Sequence, residues 1–196
     1  MGLQQMARVL LLLALTTGTA LAHSDAASLS GGFMSGFTHP LFGWDHVAAM
    51  VAVGLWGAFL GRPAIWLLPV VFPVVMAFGG MLGVVGVPLP GVETGIAASA
   101  LVLGLMVVLA VRPPLWVAAA LVGAFAIFHG HAHGAELPAA ANPLVYSIGF
   151  VVATGLLHLS GIAFGELSRW QWGNTAVRAG GAVIALAGVG FLAGLL

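Results

Sequence analysis

The sequence predicts an all-α integral membrane protein, a bundle of six transmembrane helices that follows a cleavable signal peptide. Three observations carry that expectation. The chain is 61% hydrophobic and 5% charged, with a mean hydropathy of +1.15, whereas soluble domains carry about 25% charged residues. Beyond residue 39 it holds six apolar stretches, each near the length of about 20 residues that a span requires. Glycine makes up 29 of 196 residues, as expected where transmembrane helices approach closely. The net charge is zero with histidine neutral, so nothing points to a nucleic-acid partner. Cysteine is absent, which removes disulfides, thiolate ligands and thiol nucleophiles together. Any metal held by this chain must sit on nitrogen and oxygen.

Residues 1–22 read as a secretory signal: Arg8 supplies the positive start, Val9 to Leu15 the apolar run, and Ala20-Leu21-Ala22 the small-residue cleavage site. Cleavage after Ala22 makes His23 the new N-terminus, whose amine and imidazole could chelate a metal together. From Ser24 to Thr38 the chain is small and polar, interrupted at Gly31-Gly32, and is expected to form a short external or interfacial helix. The spans are then expected at 40–61, 64–86, 91–111, 114–134, 143–167 and 174–196, so that 23–196 forms a single six-helix transmembrane domain. The connections carry helix-ending residues: Gly61-Arg62-Pro63, Pro88-Leu89-Pro90, Arg112-Pro113-Pro114 and Asn142-Pro143. Pro40 stands as the expected first helical residue of the first span, where its missing donor costs nothing.

Orientation follows from the arginines. Arg62, Arg112, Arg169 and Arg178 fall on one side if the spans alternate, and the positive-inside rule makes that side cytoplasmic. The mature N-terminus and the C-terminus are then outside, in a multi-pass protein of the bacterial inner membrane. Trp56, Trp66, Trp116, Trp170 and Trp172 gather near the cytoplasmic ends, as an aromatic belt would. Pro69 and Pro73 in the second span each free a carbonyl one turn earlier. Small residues four apart, Gly57/Gly61, Gly79/Gly83, Gly161/Gly165 and Gly190/Gly194, indicate close helix packing.

Two histidine clusters carry the chemistry. His39-Pro40-Leu41-Phe42-Gly43-Trp44-Asp45-His46 opens the first span, and Phe128-His129-Gly130-His131-Ala132-His133-Gly134-Ala135-Glu136 closes the fourth. The alternating topology puts both near the outer surface, at a common depth of roughly 5–10 Å by helix rise. His129 and His133 share one helix face, which Glu136 continues, and His131 points away from it. His39 is expected just before its helix, folded over the mouth. Asp45 either ligates a metal or accepts a hydrogen bond from a ligating imidazole and fixes its tautomer. Imidazole with carboxylate suits nickel, cobalt, zinc or copper(II) far better than magnesium or calcium. His158 lies near mid-membrane with Thr154 and Ser160 close by, as a packing residue or as a second metal station or proton relay. Glu93 opens the third span on the outer side, as a third-helix contribution to the site or as a helix N-terminal acid favoured by the dipole. Glu166, near the inner end, is an exit ligand or an ion-pair partner of Arg169.

These motifs also resemble a family. His39-x5-Asp45-His46 and Phe128-His129-Gly130-x-Ala132-His133-Gly134-x-Glu136 are similar to the two motifs of the HupE/UreJ membrane proteins, which are associated with hydrogenase and urease maturation. The resemblance implies a nickel permease, with His39, Asp45, His46, His129, His133 and Glu136 as motif residues. It implies nickel as the transported ion, where the residues alone leave cobalt or zinc open, and no prosthetic group.

The expectation is therefore a secondary permease or facilitator, not an enzyme, taking divalent nickel or cobalt into the cytoplasm. No Walker A sequence is present, which excludes ATP-driven transport by this chain alone. Two alternatives stand beside it. One is a membrane-embedded zinc hydrolase, conceivable from Ser35 and the histidine pair, although the acids are few and no nucleophile–base arrangement is recognisable. The other is a non-transporting metal-binding or sensing subunit.

Overall fold

The computed structural model describes residues 24–137 and 142–196, with side chains from Gly32 onward. The expected signal segment and His23 lie outside them. The described residues form seven α-helices: α1 (Ser24–Phe42), α2 (Trp44–Leu60), α3 (Ala64–Val84), α4 (Val92–Val108), α5 (Leu115–Ala135), α6 (Pro143–Gly165) and α7 (Gly173–Leu192). A short 3-10 turn, Glu166–Arg169, extends α6. There is no strand among the described residues.

The helices α3, α5, α7 and the extended α6 are long and apolar enough to cross a membrane. The helices α2 and α4 have 17 residues each, shorter than the stretches expected at 40–61 and 91–111. At α4 the chain leaves the helix at Leu109, and Ala110 turns with a positive φ of 54°. At α2 the reason is a bend. Pro40 is not the first residue of a span; it lies in the last turn of α1. That helix runs unbroken through Gly31-Gly32, and α2 leaves it at 82°. The turn falls at Gly43, which is extended at φ −85°, ψ 101°. A Cβ on Gly43 would stand 3.1 Å from Nδ1 of His46 and 3.2 Å from Oδ1 of Asp45, so the missing side chain leaves room for that pair.

Other boundaries follow local chemistry. Asn142 caps α6 through its side-chain oxygen, which accepts from the N–H groups of Leu144 (3.0 Å) and Val145 (3.3 Å). Pro143 occupies the first helical position, where no donor is needed. Gly61 and Gly194 end α2 and the C-terminal turn with φ of +83° and +65°, so these two glycines of the four-apart pairs terminate helices rather than pack.

The tightest seams are α3 with α5, α2 with α6, α1 with α6, and α4 with α7. Gly79 and Gly83 of α3 meet the main chain of α5, and Gly130 and Gly134 of α5 meet α3 in return. Such mutual approach of backbones is what small residues at a crossing permit. The core between the pairs is filled by Trp56, Leu68, Phe72, Leu103 and Val122, all fully buried. Trp56 is therefore not part of an interfacial belt: its indole N–H donates to the Val111 carbonyl at 3.2 Å. Trp66, Trp116, Trp170 and Trp172 are exposed, as a belt requires.

Arg62, Arg112, Arg169 and Arg178 lie at the end of the bundle opposite His39, His46, His129 and His133. Arg112 covers the Phe59 ring at 4.5 Å, and the Arg178 guanidinium donates to the Val108 carbonyl at 2.8 Å. Glu166 pairs with Arg169 at 2.7 Å, the second of the two roles open to it.

Candidate metal site

The bend at Gly43 decides how the first cluster is presented. His39 ends α1 and His46 opens α2, so the two imidazoles arrive from helices that meet at 82°. From α5 come His129 and His133, with Glu136 just past the helix end. The rings converge. His46 lies 4.8 Å from His129 and 4.5 Å from His133 between ring centroids, and His39 lies 4.9 Å from His133. One ligand atom each from His39, His133 and Glu136 falls within 4.8 Å of the others, and His39 Nε2 is 3.8 Å from Glu136 Oε2. The six motif residues thus form one cluster built from three helices.

Hydrogen bonding divides the ring nitrogens. Asp45 Oδ1 accepts the backbone N–H of His46 at 2.8 Å and stands 2.8 Å from His46 Nδ1. His129 Nε2 stands 2.9 Å from the Ser99 hydroxyl on α4. The remaining nitrogens, His46 Nε2, His129 Nδ1 and both of His133, are buried without a partner. Burying polar atoms unpaired costs about 1–3 kcal/mol each, and these four belong to three neighbouring rings. The donors are neutral nitrogen with carboxylate nearby, which fits a first-row divalent ion. The walls are apolar and aromatic: Phe72 packs 5.4 Å from His129, and Phe150 4.3 Å from His133.

Above this set opens a cavity of about 500 Å³ whose polar lining includes His39, Asp45, His46, Glu93 and Glu136. It brings Glu93 of α4 to the same mouth as the two motif clusters. A separate apolar cleft of about 640 Å³ along α3 and α6 reaches the cluster at His133.

His158 stands apart from the cluster. It is buried on α6 beside Thr154, and Phe72 lies between the two places, 5.5 Å from His158 and 5.4 Å from His129. His158 hydrogen-bonds the main chain at Pro69, the carbonyl that Pro73 leaves without its helical donor. Its Nε2 and the Thr154 hydroxyl have no partner. Ser160 bonds its own helix and faces away. His131 contacts the Val87 carbonyl at 2.7 Å, outside the cluster as its helix face requires.

Ser99 and Phe72 were not legible as site residues. Ser99 sits in a run of small residues, Ala97-Ala98-Ser99-Ala100, with no motif around it. Its one signal is position, near the outer start of the third expected span and so at the depth of the histidines.

Comparison with known proteins bears on the whole chain. The family model described as HupE / UreJ protein matches residues 10–191. Protein HupE of Rhizobium leguminosarum bv. viciae is 45% identical over 175 residues, covering 89% of this chain and 92% of that protein. No solved structure matches.

Proposed function

The chain belongs to the HupE / UreJ family, and from that premise we propose that it is a secondary permease or facilitator carrying nickel into the cytoplasm. The family is one of metal transport and accessory proteins rather than enzymes, which sets the hydrolase alternative aside. The observation that carries the reading is the group of buried imidazole nitrogens without partners on His46, His129 and His133, with His46 also lining a carboxylate-bearing cavity. We read α2 and α4 as the two remaining spans of a six-span domain over residues 23–196. The arginine-bearing end is cytoplasmic and the histidine-bearing end, with both mature termini, is outside.

In this reading a hydrated ion is collected at the mouth by His39, Glu93 and Glu136. His23, exposed as the N-terminus once the signal is removed, acts as an outermost collector. The ion exchanges water for His46, His129 and His133, with Asp45 holding His46 in place. It then passes Phe72 to the inner station at His158 and Thr154 when the helices move. An inward-negative potential favours this direction by about 2.3 kcal/mol per charge per 100 mV, so no coupled ion is required. Cobalt and zinc suit the same donors, and the preference for nickel rests on the family.

The test is radioactive nickel uptake into proteoliposomes by wild type and His46→Ala, with cobalt and zinc as competitors. Saturable uptake that collapses in the variant supports transport through this cluster. Surface binding by the wild type without filling of the lumen would replace transport with the role of a non-transporting metal-binding subunit.

A further inference from the structure

The fully buried Ser99 joins two helices through a single oxygen. Its Oγ lies 2.6 Å from the Ile96 carbonyl of its own helix and 2.9 Å from Nε2 of His129 on α5. A hydroxyl has one proton and a carbonyl can only accept, so the Ser99 proton goes to Ile96. The oxygen is then an acceptor, and the proton in the second bond belongs to Nε2 of His129. A neutral imidazole carries one N–H, which leaves Nδ1 bare. That nitrogen is buried and has no partner. The opposite tautomer would bury an Nδ1–H donor with nothing to accept it, and a charged ring would do the same.

Asp45 imposes the reverse on His46. Its carboxylate can only accept, so Nδ1 of His46 carries the proton in the 2.8 Å contact and Nε2 is the bare, buried nitrogen. The two rings, 4.8 Å apart, are therefore set in opposite tautomers by two different oxygens.

We infer that Ser99 is a positioning residue of the metal site: it fixes His129 as the Nε2–H tautomer, so that the ion meets Nδ1 of His129 and Nε2 of His46. This rests on the reading of the histidine cluster as a metal site. Ser99 touches no ion itself and acts through the ring. Outer partners of this kind change metal affinity by about 10–100-fold when removed.

The experiment is nitrogen-15 NMR of ring-labelled histidine in the full chain in lipid nanodiscs, first metal-free and then with zinc as a diamagnetic probe. His129 is assigned through Phe128–His129, which is the single Phe-His peptide bond of the sequence. The expected result is a proton on Nε2 and a bare Nδ1 before metal, with zinc moving the Nδ1 resonance. Ser99→Ala then weakens zinc binding by about 10–100-fold and mixes the tautomers, and Ser99→Thr, which keeps the hydroxyl, restores both. A proton on Nδ1 in the metal-free wild type overturns the assignment, as does bound zinc that leaves Nδ1 unmoved, or Ser99→Ala binding like wild type. A wild type that binds no zinc overturns the metal reading itself, and Ser99's role with it.

Discussion

His46 and His129 each commit one ring nitrogen to an anchoring oxygen, whereas neither ring nitrogen of His133 has a partner. An anchored ring defines where an ion sits, and an unanchored one can follow it. His133→Ala should therefore reduce the rate of nickel uptake more than it reduces affinity, which initial rates compared with calorimetric binding would reveal. Asp45→Ala removes an anchor and should weaken nickel binding by about 10–100-fold, measured by calorimetry in detergent. The ligating rings must be neutral. Protonation takes that lone pair away, so nickel affinity falls once the pH is low enough to protonate the rings, which calorimetry over a pH series would show. At this scale the sequence was informative where the residue type was rare. Histidines and acids stand out in a chain this apolar, and their spacing placed them. Ser99 did not stand out, because a serine among alanines says nothing about which neighbouring helix it faces.

Helix by helix, position was legible and boundaries less so. Asn142-Pro143 and Gly61 mark ends because capping and positive φ are local properties that one or two residues determine. Pro40 misled for the same reason: a proline suits a first turn, yet it also tolerates the end of α1, and the choice depends on Gly43 making room for Asp45 and His46. Trp56 reads as interfacial from its type, but burial against Val111 is a tertiary fact. The glycines offer a direct contrast. A Cβ on Gly130 would collide with the main chain of α3 at Met76 and Gly80, so Gly130→Ala should push α3 and α5 apart and destabilise by about 1–3 kcal/mol or more. Gly155, helical and with nothing within 4 Å of a built Cβ, should gain about 1 kcal/mol on becoming alanine. Thermal melts in detergent of the two variants should move in opposite directions.

Across the described residues, Arg112 and Arg178 lie at one end and His39, His46, Asp45, Glu93 and Glu136 at the other. This polarity was legible because alternation of spans and the arginine bias are properties of the entire chain. On the proposed function, uptake should respond to the field. In proteoliposomes with the histidine end outward, a potassium-diffusion potential of about 100 mV, negative inside, contributes about 4.6 kcal/mol for a divalent ion. Accumulation should rise steeply over the zero-potential control, and reversing the potential should empty the vesicles. The α3–α5 pair is locked by glycines on both faces, and α6 holds α1 and α2. His129 and His133 ride on the first unit, and His39 and His46 on the second. On the proposed function, an ion held by both units is a removable rivet between two plates: it clamps them while it stays, and slipping of the plates pulls its ligands apart.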